Sequence, residues 1–244
     1  MVELGRIDIT CEISMMASHM ALPREGHLAQ LFHVFAYLKK CHNSELVFNP
    51  SDRDVNYNEF THQDWESSEY GILSEDIPMN APKSRGTGFT MLVYVDLDHA
   101  GEIVMRRSRT GYIIYLNNSP IYWISKKQQG VETSSFGAEF TVMKQCTEYI
   151  RGLRFKLRMM GIPCSQPSLI YGDNKSVLAN TSMPDSVLKK KAHSIAYNFV
   201  REGVVRKEWL LAYVNTKDNI ADFLTKPLSG VRRMKLVRQV LHHL

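Results

Sequence analysis

An apolar strand that runs directly into acidic residues places the strongest constraint on this chain. Residues 91–95 read MLVYV, which is as apolar as a strand of a protein core, and Asp96 and Asp98 follow at once. An ionised carboxylate is costly to bury unless it is paired. These acids therefore lie either where the strand reaches water or where a cation meets them.

The composition is that of an ordinary globular protein, with 44% hydrophobic and 23% charged residues among 244. The net charge of +5 suits a polyanionic partner and equally a solvated basic surface. No run of about 20 apolar residues occurs, which argues against a membrane partner. The N-terminus lacks signal-peptide features, and the four dispersed cysteines indicate a reducing compartment. We therefore expect a cytoplasmic or nuclear protein that is not secreted.

Changes in sequence texture divide the chain into four parts. Residues 1–48 carry apolar side chains at helical spacing, which predicts a helical segment. Residues 49–88 are polar and turn-forming, which predicts a connector with little regular structure. Residues 89–228 alternate short apolar runs with helical patterns and predict one α/β domain. Residues 229–244 predict a basic amphipathic helix.

Within residues 89–228, apolar runs bounded by turn residues predict five strands, at 91–97, 111–116, 121–125, 168–171 and 209–214. The turn at 117–120 predicts that the second and third strands form a hairpin. Helical patterns cover about 135–160, a short stretch from Asn174, and about 190–201. A last helix, around residues 220–224, is predicted to be capped by Asp218.

Four acids lie in apolar surroundings near the ends of these elements: Asp96, Glu139, Asp173 and Asp222. Each has a structural explanation of its own. Asp173 can cap a helix, Asp222 can point to solvent, and Glu139 can gain about 0.3–1 kcal/mol from a helix dipole. If the fold gathers all four, their repulsion requires a cation, and hard oxygen ligands select Mg²⁺ or Mn²⁺.

A series of short motifs runs through residues 91–228. They are YVDLDHAG at 94–101, RRS at 106–108, GY at 111–112, IYWISKKQ at 121–128, SS at 134–135, AEF at 138–140, GDNKS at 172–176, FVRE at 199–202 and NIADFLTKPL at 219–228. In order and spacing, this series resembles the ribonuclease H domain of copia-type retrotransposon polyproteins. Residues 1–48 resemble the end of the reverse transcriptase of the same polyproteins, notably in AYLKK at 36–40.

The resemblance implies a ribonuclease H-like fold, which is a five-stranded mixed sheet flanked by helices, with the first three strands antiparallel. It implies hydrolysis of the RNA strand of RNA/DNA hybrids with two divalent ions, Mg²⁺ or alternatively Mn²⁺. The family's four metal-binding and catalytic acids fall on Asp96, Glu139, Asp173 and Asp222. The expected partners are an RNA/DNA hybrid and the rest of a polyprotein or a host complex. The candidate nucleic-acid contacts are Lys126, Lys127, Gln128 and Asn174.

The chain departs from the family pattern near the expected site. Gly137 stands where the family has a second acid, and Glu102 ends a motif that the family ends with Asp. A family histidine aligns with Ala192, next to His193, which is a candidate for proton or product handling or else an ordinary surface residue. No core carboxylate is lost. These departures keep open a catalytically decayed remnant that serves as a structural or nucleic-acid-binding subunit.

Overall fold

The elements are described from a computed structural model, which covers residues 2, 5–60, 62–99, 101, 107–130, 135–188 and 193–243. The helices are α1 (Thr10–Ala17), α2 (Glu25–Lys40), α3 (Ser135–Met159), α4 (Lys175–Ser182), α5 (Ser194–Val205), α6 (Asp222–Thr225) and α7 (Gly230–Val237). The strands are β1 (Glu45–Leu46), β2 (Met91–Asp98), β3 (Arg109–Leu116), β4 (Ser119–Lys127), β5 (Ser168–Gly172), β6 (Trp209–Tyr213) and β7 (Leu241–His242). None of the helices in these ranges has the length and apolar character to cross a membrane.

Five strands form a mixed central sheet in the order β4-β3-β2-β5-β6. The β2–β3 and β3–β4 pairs are antiparallel, whereas β5 runs parallel to β2 and β6 runs parallel to β5. The five strands and the hairpin predicted from the sequence are all present. A five-stranded mixed sheet with its first three strands antiparallel and helices beside it is the expected ribonuclease H-like architecture, so the predicted fold class is confirmed.

Helices cover both faces of this sheet, which explains why β2 is apolar almost throughout. Successive side chains of a strand point to opposite faces. Val93 and Val95 belong to the cluster formed with α3 and α5, whereas Leu92 and Tyr94 belong with α6 and α7. The same alternation places Asp96 on the α6 side.

Within residues 49–60 and 62–88, the regular structure is one turn of 3₁₀-helix at Tyr57–Glu59, and the segment contacts the sheet and its helices. Phe60 belongs to the hydrophobic cluster on the α6 and α7 side, and Trp65 belongs to the cluster on the α3 and α5 side. Further along, Glu75 accepts hydrogen bonds from Arg154 and Arg158 of α3. The polar, turn-rich sequence of this segment does not reveal these contacts.

The buried Arg201 of α5 is enclosed by aromatic rings and carbonyl groups. Its guanidinium carbon lies 4.7 Å from the ring centroid of Trp65 and 5.4 Å from that of Tyr70. The same guanidinium donates hydrogen bonds of 2.7–2.9 Å to three carbonyl oxygens, those of Asn180, Met183 and Pro184. A planar guanidinium can stack and donate at once. Arg201 therefore joins the connector to the end of α4.

The C-terminal part differs from its prediction. The helix expected over 230–244 ends at Val237, and β7 pairs antiparallel with β1. Val240 and Leu241 are buried in the α6 and α7 cluster, a tertiary contact that draws the chain out of a helix. The helix expected from Asp218 begins only at Asp222, because the Asn219 side chain donates to the Val95 carbonyl oxygen at 2.8 Å and fixes the preceding turn.

Candidate active site

A close approach of α6 to β3 builds the surroundings of Asp96. Gly111 pairs with Asp96 across the β2–β3 ladder. A Cβ atom at position 111 would lie 2.6 Å from Cγ2 of Thr225 and 2.9 Å from Cβ of Leu224. Because glycine leaves this space open, α6 packs directly on the sheet. The Thr225 hydroxyl then donates a hydrogen bond to Oδ2 of Asp96.

Lys226 lies between two buried aspartates. Its Nζ atom is 3.6 Å from Oδ2 of Asp96 and also contacts Oδ1 of Asp222. Arg232 contacts the other Asp222 oxygen and donates to the Thr216 carbonyl oxygen at 2.8 Å. The contacts to Asp222 are ionic, and neither has regular hydrogen-bond geometry. The Asp222 side chain, which is 0% exposed, is thus neutralised on both oxygens.

Asp173 and Glu139 join the cluster from β5 and α3. Asp173 follows β5 directly, and its Oδ2 atom accepts a hydrogen bond of 2.9 Å from the Thr216 hydroxyl. Asn174 caps α4 by accepting from two backbone N–H groups, and its side chain acts to lower the pKa of Glu139. The charges of Asp173 and Asp96 act on Glu139. The structure therefore brings these three acids into one electrostatic environment, with Asp222 beside Asp96 on the far side of Lys226.

Burial and repulsion shift the pKa values within this cluster. Burial, together with the negative charges of Asp173 and Asp96, raises the pKa of Glu139 to about 8. Burial also raises the pKa of Asp96, against the opposing charge of Lys226. Burial lowers the pKa of Lys226, but the nearby aspartates outweigh it, so this pKa lies above its ordinary value. Because the pKa of Lys226 is raised despite burial, its ammonium group lies in surroundings of net negative charge.

The candidate nucleic-acid contacts from β4 lie along one groove. Lys126, Lys127 and Gln128 line a polar groove of about 220 Å³ between the end of β4 and α3. Lys126 is exposed and Lys127 is partly exposed. The buried Gln128 amide donates to Oγ1 of Thr110 at 3.1 Å and to the Ala138 carbonyl oxygen at 3.4 Å. Both lysines can therefore reach a polyanion, whereas the Gln128 amide nitrogen is engaged within the protein.

Comparison with known proteins gives this cluster a context. The chain is 34% identical over 156 residues to the Pol polyprotein of transposon RE2 from Arabidopsis thaliana, which covers 64% of the chain. This chain is a homologue of retrotransposon Pol polyproteins. The Pol polyprotein of transposon RE1, also from Arabidopsis thaliana, is 29% identical over 224 residues, or 92% of the chain. The chain spans only 11% and 13% of these two transposon relatives.

Two further comparisons concern family models and solved structures. No protein-family model matches the chain. Among solved structures, the LC11-RNase H1 isolated from compost superposes with a TM-score of 0.44 at 15% identity, covering 56% of this chain and 92% of that one. The homology to transposon polyproteins thus rests on sequence similarity, and the assignment of the fold rests on the sheet topology described above.

The sequence indicated the four acids but not the cations beside them. Lys226 follows Asp222 by four residues, a spacing that favours an ion pair on a helix, so a signal for it was present. Arg232 lies in the basic tail, where nothing in the sequence marks it as the partner of a buried acid. His193 directly precedes α5. Its role, like the assignment of the acids as metal ligands, stays a prediction.

The carboxylates fit a divalent cation in chemistry and in charge. The four acids carry four negative charges when ionised, and Lys226 and Arg232 supply two positive ones, so two negative charges stay without a counter-charge before any divalent cation binds. Carboxylate oxygens are the ligands that Mg²⁺ and Mn²⁺ prefer. In the described part of the chain, no three His, Cys, Asp or Glu side chains are close enough to hold one ion. Binding therefore requires these side chains to turn toward each other.

Proposed function

We propose that this chain is a ribonuclease H-type endonuclease that hydrolyses the RNA strand of RNA/DNA hybrids with two divalent cations, Mg²⁺ or Mn²⁺. The observation that carries the proposal is the under-neutralised cluster of acids at the end of β2, in which Asp96 and Asp222 are buried and Glu139 and Asp173 are partly exposed. Its members come from separate elements: Asp96, Glu139, Asp173 and Asp222. The homology to transposon polyproteins supports the same activity, acting in the cytoplasm or nucleus within a larger polyprotein or a host complex.

In this mechanism the four acids hold the cations, and no side chain forms a covalent bond with the substrate. Bound divalent cations supply Lewis-acid chemistry, which makes a water nucleophilic and neutralises the departing 3′ oxygen. Thr225 orients Asp96 by donating to Oδ2, which leaves Oδ1 for ligation. The Asn174 side chain favours the ionised form of Glu139, which is the form that binds a cation. Thr225 thus reduces the freedom of one ligand before a cation arrives, and Asn174 favours the charge state that another requires.

Recognition of the hybrid would rest on phosphates, 2′-hydroxyls and the shape of the duplex rather than on base edges. Lys126 and Lys127 would contact phosphates from the β4 groove, with Gln128 beside them. Asn174 lies next to Asp173 and Glu139, where it can contact the strand that is cut. Affinity that falls steeply as salt is added would support the phosphate contacts.

The test is cleavage of a labelled RNA/DNA hybrid with and without Mg²⁺, using duplex RNA and duplex DNA for comparison. Asp96→Asn should abolish Mg²⁺-dependent cleavage and leave the circular dichroism spectrum unchanged. Asp218→Asn is the matched control, because Asp218 is an exposed acid paired with Lys235 outside the cluster, and this variant should cleave normally. Wild-type rates in Asp96→Asn would contradict the proposal.

A second candidate is a non-catalytic remnant that binds nucleic acid as a structural subunit. The observation that favours it is the neutralisation of Asp222 on both oxygens by Lys226 and Arg232. A remnant of this kind would bind the hybrid with salt-dependent affinity and leave it uncut at every concentration of Mg²⁺ or Mn²⁺. Cleavage that Asp96→Asn removes would exclude it.

A further inference from the structure

The proposed metal site contains a cationic side chain of the protein itself, that of Lys226. Both ion pairs described for Lys226 go to Asp96 and Asp222. The Lys226 side chain is 29% exposed, whereas that of Asp96 is 2% exposed. The Lys226 side chain therefore reaches solvent, whereas the two carboxylates that it pairs with, Asp96 and Asp222, are buried.

We propose that Lys226 is a positioning residue that competes with the divalent cation for Asp96 and Asp222. It holds the two carboxylates together in the metal-free protein and turns toward solvent when a cation binds. The inference rests on the proposed metal site and adds to it a device that keeps this site assembled before the ion arrives.

The local backbone allows Lys226 to leave without disturbing α6. Lys226 is the residue that closes this helix, and its backbone N–H bonds the Asp222 carbonyl oxygen at 3.4 Å. The side chain is a flexible four-carbon stem with a single point charge. Rotation about its own bonds is therefore sufficient to carry the ammonium group into water while the Asp222 backbone stays in place.

Arg232 does not have the same freedom. Besides its contact with Asp222, it donates to the Thr216 carbonyl oxygen, and Thr216 in turn donates to Asp173. One of the two Arg232 partners is thus a neutral carbonyl oxygen, which a cation bound by the acids would leave in place, whereas both ion pairs described for Lys226 go to acids of the proposed site. A cation that binds Asp96 and Asp222 therefore displaces the Lys226 side chain and leaves Arg232 in place.

The first experiment measures Mn²⁺ and Mg²⁺ binding by isothermal titration calorimetry on the whole chain. Lys226→Met removes the charge and keeps the stem, and it should bind Mn²⁺ about tenfold more tightly than the wild type. Lys226→Arg retains a competing charge and should stay within about threefold of the wild type. Lys235→Met is the matched control, because Lys235 pairs with the exposed Asp218, and its affinity should not change. Equal or weaker binding by folded Lys226→Met overturns the inference.

The second experiment uses the wild-type protein, so it does not depend on the folding of any variant. Lysines are acetylated with a water-soluble reagent, with and without Mn²⁺, and the rate at each lysine is followed by mass spectrometry. Acetylation of Lys226 should become at least threefold faster when Mn²⁺ is added, while the rate at Lys235 stays the same. An unchanged or slower rate at Lys226, at Mn²⁺ concentrations that calorimetry shows to saturate the protein, overturns the inference.

The outcomes separate this inference from the proposed function. If neither the wild type nor any variant binds a divalent cation, both proposals fail. If the wild type and Lys226→Met bind with equal affinity, competition by Lys226 fails and the nuclease proposal stands. If the cation binds more tightly to Lys226→Met but hybrid is not cleaved, the nuclease proposal fails and the competition stands.

Discussion

The clamp that Glu75 forms on α3 gives a stability prediction with a defined pH dependence. The Glu75 side chain is 16% exposed and accepts from Arg154 at 2.7 and 2.8 Å and from Arg158 at 2.6 Å. The Arg154 side chain is only 2% exposed. Replacing Glu75 by Gln would leave this buried guanidinium without its counter-charge. Removing one partner of a buried pair costs about 3–5 kcal/mol. Because Glu75 is partly exposed, we expect the loss at pH 7 to lie at the low end of this range, at about 3 kcal/mol.

The effect of pH follows from the direction of the Glu75 shift. Burial raises the pKa of Glu75, but hydrogen bonds and charges from Arg154 and Arg158 outweigh it and lower the pKa from 4.5 to about 2. A lowered folded-state pKa stabilises the protein above the unfolded value and ceases to do so as pH falls toward the folded value. After a reduction for solvent screening, the full pKa shift of Glu75 corresponds to a stabilisation of the folded protein by about 2 kcal/mol. The stability gap between wild type and Glu75→Gln should therefore narrow by about this amount between pH 5 and pH 2.

Urea unfolding monitored by circular dichroism at several pH values measures this gap. Asp76→Asn is the matched control, since Asp76 is the adjacent acid, is 88% exposed and contacts Arg206. Surface pairs of this kind contribute about 0–1 kcal/mol, so its effect should be small. The reasoning is refuted if Glu75→Gln loses less than about 1 kcal/mol at pH 7, or if the gap stays constant as pH falls.

Three further predictions concern packing, the Arg201 contacts and the groove. Gly111→Ala should lower the free energy of unfolding by about 1–3 kcal/mol, because the added methyl group would push α6 away from β3. Gly152→Ala, on an open face of α3, should raise the free energy of unfolding by about 0.5–1 kcal/mol. Equal effects of the two variants in urea unfolding would argue against the close approach of α6 to β3. Arg201→Met should cost about 3 kcal/mol, since three carbonyl groups lose a donor, and a wild-type melting temperature would contradict this. Replacing Lys126 and Lys127 by Gln should lower the salt slope of hybrid affinity by about one per lost phosphate contact, and an unchanged slope would remove these lysines from the interface.

The sheet could be predicted because its signals are local. Each strand is a short apolar run between turn residues, and the two-residue turn between β3 and β4 fixes their pairing. The four acids could be picked out for the same reason, because a lone carboxylate within an apolar run needs an explanation wherever it lies. Even Lys226 left a local trace in its spacing from Asp222. The sequence does not reveal which of these charged side chains contact each other in the fold.

The contacts of the connector and of the C-terminal tail could not be predicted because their partners are distant in sequence. Trp65 carries no periodic pattern, and only the fold brings it to Arg201. The tail has the apolar spacing of a helix, so local propensity favoured one through residue 244, yet burial of Val240 and Leu241 and pairing with β1 decided otherwise. Tertiary burial outweighs helix propensity when the two compete.

The path of the connector has a practical consequence for choosing where an expressed fragment of this protein begins. Phe60 packs into one hydrophobic cluster and Trp65 into the other, so this short stretch covers both sides of the sheet. An expressed fragment that starts at residue 89, where the α/β pattern begins, would lack Phe60, Trp65 and the Glu75 carboxylate that neutralises Arg154. Such a truncated product would collect in inclusion bodies, and a soluble fragment would have to begin before Phe60.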